Sequence, residues 1–143
     1  MGITVKIRVL EWAAFVNDFI NKRRFDATIL GWTIPLDPDI YDVWHSSKMG
    51  PQELNFVSYM NEEVDDLIEK ARSTFDQKKR KKYYDRIQEI LAEEQPYTFL
   101  YVPDALPIIH ARFRGIEPAP LGIGYNFIKW YVPKEEQKLV MTR

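Results

Sequence analysis

The chain has no cysteine, which excludes disulfides, thiolate zinc sites and a cysteine nucleophile and leaves its redox compartment open. Its only histidines, His45 and His110, stand far apart with no HxxxH or HxH spacing. A metal would need carboxylate help from Asp37, Asp39 or Asp42, and nothing in the spacing demands it, so no metal and no cofactor are expected. Charge of one sign is lacking too. The formal net charge is -1, which gives no global electrostatic case for nucleic acid or an anionic membrane surface. No stretch approaches the roughly 18 apolar residues of a membrane span. The first residues, Met1 to Lys6, lack the charged start and apolar segment of a secretory signal and run into an apparent strand. That abrupt start suggests a piece of a longer protein.

What is present suits a soluble globular domain. At 143 residues the chain can bury a core of useful size, and 45% hydrophobic with 29% charged residues is ordinary for that class. The aromatic share of 14% is high, and it fits either a rigid core or an aromatic-lined binding surface.

Hydrophobic periodicity orders the chain. Ile3, Val5, Ile7 and Val9 alternate as in a strand running to Leu10. From Glu11 to Arg24 the apolar Trp12, Phe15, Val16, Phe19 and Ile20 recur at helical spacing, with Lys22, Arg23 and Arg24 near the negative end of the helix dipole. Phe25 to Trp32 reads as a second strand, which completes a strand–helix–strand crossover. Tyr41 to His45 reads as a short helical turn, and Asn55 to Tyr59 carries no clear assignment. Asn61 is a good N-cap for a helix from Glu62 to Ser73, with Val64, Leu67, Ile68 and Ala71 on one face. Asp76 starts a second helix running to Glu94, closed by Gln95-Pro96, and the pair should pack as an antiparallel hairpin. Tyr97 to Val102 reads as a strand buried on both faces. Ile108 to Phe113 and Asn126 to Val132 read as later strands, and Lys134 to Arg143 as a polar tail.

The stretch with most to explain runs from Gly31 to Ser46. Pro35 and Pro38 exclude a central strand or helix interior there, and loops after strands are where α/β proteins place binding groups. Trp32 and Trp44 on a proline-stiffened loop read equally well as core anchors or as an apolar ligand wall. Asp37, Asp39 and Asp42 lack any accompanying nucleophile, phosphate loop or second acid, so turn and capping roles fit them better than acid–base chemistry. No catalytic residue is assigned, and the chain does not read as an enzyme. The Lys78–Lys82 run reads as a solvated helix face, with Lys81–Asp85 and Arg86–Glu89 available as weak helical pairs.

Taken in order, Glu11-Trp12, Arg24-Phe25-Asp26-Ala27, Gly31-Trp32-Thr33, Asp37-Pro38-Asp39, Trp44-His45-Ser46, Asn55-Phe56, Tyr84 to Leu91 and Glu94-Gln95-Pro96 resemble one family. It is the oligopeptide- and dipeptide-binding family of solute-binding proteins that serve ABC importers, and the likeness runs from Ile3 to Lys134. The resemblance implies an α/β, periplasmic-binding-protein-like lobe fragment with a strand–helix–strand unit, a two-helix hairpin and later strands. Residues 1–115 would belong to the second lobe, and 116–143 to the segment returning toward the first lobe and the tail. It also implies a peptide or other small solute as ligand, a membrane permease and the first lobe of the full protein as partners, and a periplasmic or cell-surface, often lipid-anchored, setting. Ligand-binding residues would be Trp32, Thr33, Ile34 and Pro35 as cleft wall, Asp37 or Asp39 as an amine-facing charge or loop brace, and Trp44 with His45 as a second wall. The family commonly has an acid three positions after the tryptophan, facing the peptide's amine. Here that position is Pro35, so peptide is less firmly implied than solute. A rival reading is a stand-alone interaction module docking through the 76–94 helix. The surface from Pro118 to Trp130 would be exposed in a fragment, which points to a possible dimer.

Overall fold

The computed structural model describes residues 2–33, 35–120 and 122–138. Contacts divide the chain into two units, Met1–Thr98 and Phe99–Arg143.

The first unit is built on helices. A single α-turn, α1 (Trp12–Ala14), is capped by the Glu11 carboxylate accepting from the Ala14 N–H and continues as a π-helix, Phe15–Ile20. The helix expected as far as Arg24 therefore ends early. Arg23 turns to a positive φ of 51°, and its guanidinium donates to the carbonyls of Phe56 (3.2 Å) and Met49. Arg23 of the basic trio thus supplies a long-range link, while Lys22 pairs locally with Asp18. A short helix, α2 (Tyr41–Trp44), leads to a 3-10 turn at Ser46–Lys48.

The hairpin follows its capping chemistry. Asn61 accepts from the N–H groups of Glu63 and Val64 at the head of α3 (Glu62–Ser73), and Asp76 accepts from Lys79 N–H at the head of α4 (Gln77–Glu94). Asn61 also donates to Glu94 Oε1 at 2.8 Å, which ties the start of α3 to the end of α4. The Lys81–Asp85 and Arg86–Glu89 pairs form, and Arg86 reaches Glu63 at 2.8 Å. Val64 and Ile68 of α3 meet Ile87, Ile90 and Leu91 of α4 in a core completed by Trp44 and Tyr59, and Ala71 of α3 is buried as well. The apolar face of the 76–94 helix is therefore spent inside the chain.

The expected strands are not formed. Among the described residues, strand pairing amounts to one antiparallel bridge, Arg114 to Tyr131. The segments 3–10, 25–32, 97–102 and 108–113 form no ladder, and Phe127–Lys129 is a 3-10 turn inside the last expected strand. The physical reason is partnership. Alternation marks the face a strand would bury, but a strand exists only when neighbouring backbone groups take its N–H and C=O bonds. Here Ile3, Val5, Ile7 and Val9 are 76–90% exposed and Phe99 to Val102 are 62–84% exposed, so the expectation of a strand buried on both faces fails.

In the second unit the bridge carries two backbone hydrogen bonds, 2.8 and 3.1 Å. Gly115 beside it has φ +76°, and a Cβ there would lie 2.4 Å from the Lys129 carbonyl, so only glycine fits. Trp130 packs on Phe113 and Phe127. Of the expected tail, Lys134–Glu136 forms a 3-10 turn, and residues 139–143 lie outside the described residues. No helix among the described residues is long and apolar enough to cross a membrane.

Ile87 is fully buried at the centre of the hairpin. Ile87→Ala should lower the unfolding free energy by about 2–5 kcal/mol, the usual cost of such a cavity, with no change in the slope of a urea titration. A loss under about 0.5 kcal/mol would contradict the assignment of this core.

Candidate functional site

The Gly31–Ser46 loop lies in the first unit, and its tryptophans have different fates. Trp44 and His45, expected as a second ligand wall, are only 6% and 8% exposed. Trp44 meets Tyr59 edge-on at 5.6 Å and Tyr97 at 4.5 Å. Trp32 is 42% exposed and stacks on Phe56 at 6.0 Å and 23°. Phe56 in turn stacks on Tyr97 at 6.1 Å and 23°. An aromatic ladder, Trp32–Phe56–Tyr97–Trp44, thus runs from solvent to the core. Each rung is worth about 0.5–1.5 kcal/mol beyond its buried area. Thr33 and Pro35 are exposed beside Trp32, and Ile34, also expected in the wall, lies outside the described residues.

Asn55 holds the back of the ladder. It is completely buried, and its amide donates to the carbonyls of His45 (3.2 Å) and Tyr59 (2.9 Å) while its oxygen accepts from Tyr59 N–H (2.9 Å). This closes the segment from His45 to Tyr59 and sets Phe56 beneath Trp32. His45 works locally as well. Its Nδ1 accepts from Ser47 N–H at 3.1 Å, and its Nε2 lies 3.4 Å from Glu69 Oε1. The ring packs on Tyr41 at 4.3 Å.

Both candidate acids are engaged. Asp37 receives a two-pronged bond from Arg80, with Nη1 at 3.3 Å from Oδ2 and Nη2 on Oδ1. Asp39 accepts from Tyr41 N–H at 3.0 Å and lies 3.1 Å from Arg72 Nε. Among the described residues no three His, Asp or Glu side chains gather as a metal site. The sequence pattern gives no site role to Asn55, Phe56, Arg72, Arg80 or Tyr97. The Asn55-Phe56 step was visible as a motif, but its role depends on contacts far along the chain.

Burial pushes the Tyr97 hydroxyl up to about 12, while a hydrogen bond with Trp32 pulls the other way. Burial, and then the neighbouring Glu94, push Tyr59 up as well; its hydroxyl donates to Glu94 at 2.5 Å. An unfolded tyrosine ionises near 10, so above that pH the unfolded chain releases protons that the folded chain keeps. Stability is therefore intact below about pH 10 and falls as pH rises toward 12. Tyr97→Phe should flatten this decline in urea midpoints measured across that range. An equally steep decline in the variant would contradict the burial of that hydroxyl.

No protein-family model matches the chain, but individual proteins do. The oligopeptide-binding protein AppA of Bacillus subtilis is 38% identical over 135 residues, which cover 94% of this chain and 25% of AppA. The probable D,D-dipeptide-binding periplasmic protein DdpA of Escherichia coli is 31% identical over 103 residues, covering 71% of this chain and 20% of DdpA. The structure of Bacillus subtilis AppA in complex with a nonapeptide matches with a TM-score of 0.74 at 40% identity, over 93% of this chain and 26% of that one. These relatives are binding proteins and not enzymes, and the chain spans about a quarter of the length of AppA. The fold is that of part of such a binding protein, reached here without the strand pairing the sequence pattern suggests. With a match this close along nearly its whole length, the chain belongs to the oligopeptide- and dipeptide-binding family of solute-binding proteins.

Proposed function

We propose that this chain supplies part of the ligand-binding lobe of an ABC-importer solute-binding protein and takes up a peptide or similar small solute. The observation that carries the reading is the half-exposed Trp32, seated on Phe56 in a chain 40% identical to the matching quarter of a nonapeptide-bound AppA. Trp32, Thr33 and Pro35, together with Ile34, form the cleft wall. Trp44 and His45 serve the site from behind, by fixing the ladder and the loop's exit. Residues 1–115 belong to the second lobe and residues 116–143 return toward the first. In the complete lobe, 3–10 and 25–32 pair as the strands of a crossover whose helix is α1 with the π-helix. The remaining partners are the first lobe of the same protein and a membrane permease. The full protein is exported to the periplasm or cell surface, where lipid anchoring would hold it near the permease.

Binding in a two-lobed protein arises from contacts made only when the lobes close. The chain by itself therefore binds peptides weakly, with Kd above about 1 mM, and calorimetry returning micromolar affinity would contradict this. The direct test is a chimaera in which this chain replaces the matching quarter of AppA. The chimaera should bind the nonapeptide, and Trp32→Ala in it should weaken binding by about tenfold or more, about 1.4 kcal/mol. A folded chimaera that binds equally well without Trp32 would overturn the wall assignment.

Tyr125, Phe127 and Ile128 are 60%, 68% and 95% exposed, and this surface supports self-association of the isolated chain through 118–130. Sedimentation should show a concentration-dependent dimer, and a monomer at all concentrations would count against it.

A further inference from the structure

We propose that Arg72 and Arg80 are positioning residues for the binding loop, clipping it to the helical hairpin at two successive points. This rests on reading the loop as a ligand wall, but the clip itself is a property of the chain without ligand. Asp37 and Asp39 flank Pro38, and each is held by an arginine from a different helix. Arg80 of α4 grips Asp37 with two N–H groups, and Arg72 near the end of α3 grips Asp39.

Each arginine is itself held by an aromatic ring. Arg80 donates to the Tyr84 hydroxyl at 3.2 Å and lies 5.5 Å from that ring's centre. Arg72 lies 4.2 Å above the Tyr41 ring, the same ring that packs on His45. Exposed ion pairs contribute little in general, because two long side chains must be ordered to make them. A guanidinium already seated on a ring and meeting a carboxylate as a fork has less freedom left to lose.

Two consequences follow from the geometry. Arg80 has a use that the Lys78–Lys82 run does not reveal, since it reaches across to Asp37 in the loop. Asp37 and Asp39 serve the loop rather than a ligand, so with proline at position 35 none of these positions offers a free carboxylate to a ligand's amine.

Amide hydrogen exchange on the whole chain tests the clip. The amides of Tyr41, Val43 and Trp44 are protected by Asp39 and by the Ile40 carbonyl, and they report on the loop's exit. Arg72→Glu and Arg80→Glu should each speed their exchange by about fivefold to tenfold, while Ile68 and Ile87 in the hairpin core keep their rates. Arg80→Lys should fall between, because an ammonium cannot form the fork. Exchanging the charges, Asp37→Arg with Arg80→Asp, should restore protection to within about threefold of the unaltered chain. Unchanged loop exchange in Arg80→Glu would overturn the proposal. So would a charge exchange that fails to restore protection while the core rates hold, because the effect would then be packing and not pairing.

Discussion

The ligand wall proposed for this chain depends on the stacking of Trp32 on Phe56. Trp32 stands at the point where the chain leaves an apolar run and enters a proline-rich loop, and its indole is held by Phe56 from outside that loop. Phe56 does so because Asn55 beside it is locked by three hydrogen bonds to His45 and Tyr59. The stack continues through Tyr97 to Trp44 and so into the hairpin core. Three aromatic contacts at about 0.5–1.5 kcal/mol each outweigh what exposed ion pairs usually supply. The ladder therefore seats the tryptophan, and the arginine pairs adjust the loop beyond it.

The division of labour between the two tryptophans follows from the same geometry. A buried indole at 44 gives the ladder a fixed end, and a half-exposed one at 32 leaves a flat apolar surface facing solvent. Preorganised apolar surfaces of this kind lose little entropy when a ligand arrives. Asp37 and Asp39 pair with Arg80 and Arg72 of the hairpin, which ties the loop to the two helices.

The helical half of the architecture was legible in the sequence because its determinants are local. Asn61 and Asp76 cap the helices they were expected to cap, and the apolar faces of both helices meet as their periods require. The strands were not, because a strand's bonds go to partners that a local pattern cannot name. Ile3 to Val9 alternates well and still pairs with nothing among the described residues. The candidate site was half legible. Core anchor and ligand wall fit both tryptophans equally well from the pattern, and only the packing separates them, with Trp44 buried and Trp32 half-exposed. Phe56 and Tyr97, which decide the outcome for both, are remote in sequence. Asp37 and Asp39 fit turn formers, a loop brace or an amine-facing charge from the sequence alone, because the arginines that engage them come from helices more than thirty positions away.

The most direct test of the account places fluorine-labelled tryptophan in the AppA chimaera and follows each indole by NMR as nonapeptide is added. The account predicts that the Trp32 resonance shifts in step with binding while the buried Trp44 resonance stays nearly fixed. Saturable peptide binding that leaves the Trp32 resonance unmoved would contradict it.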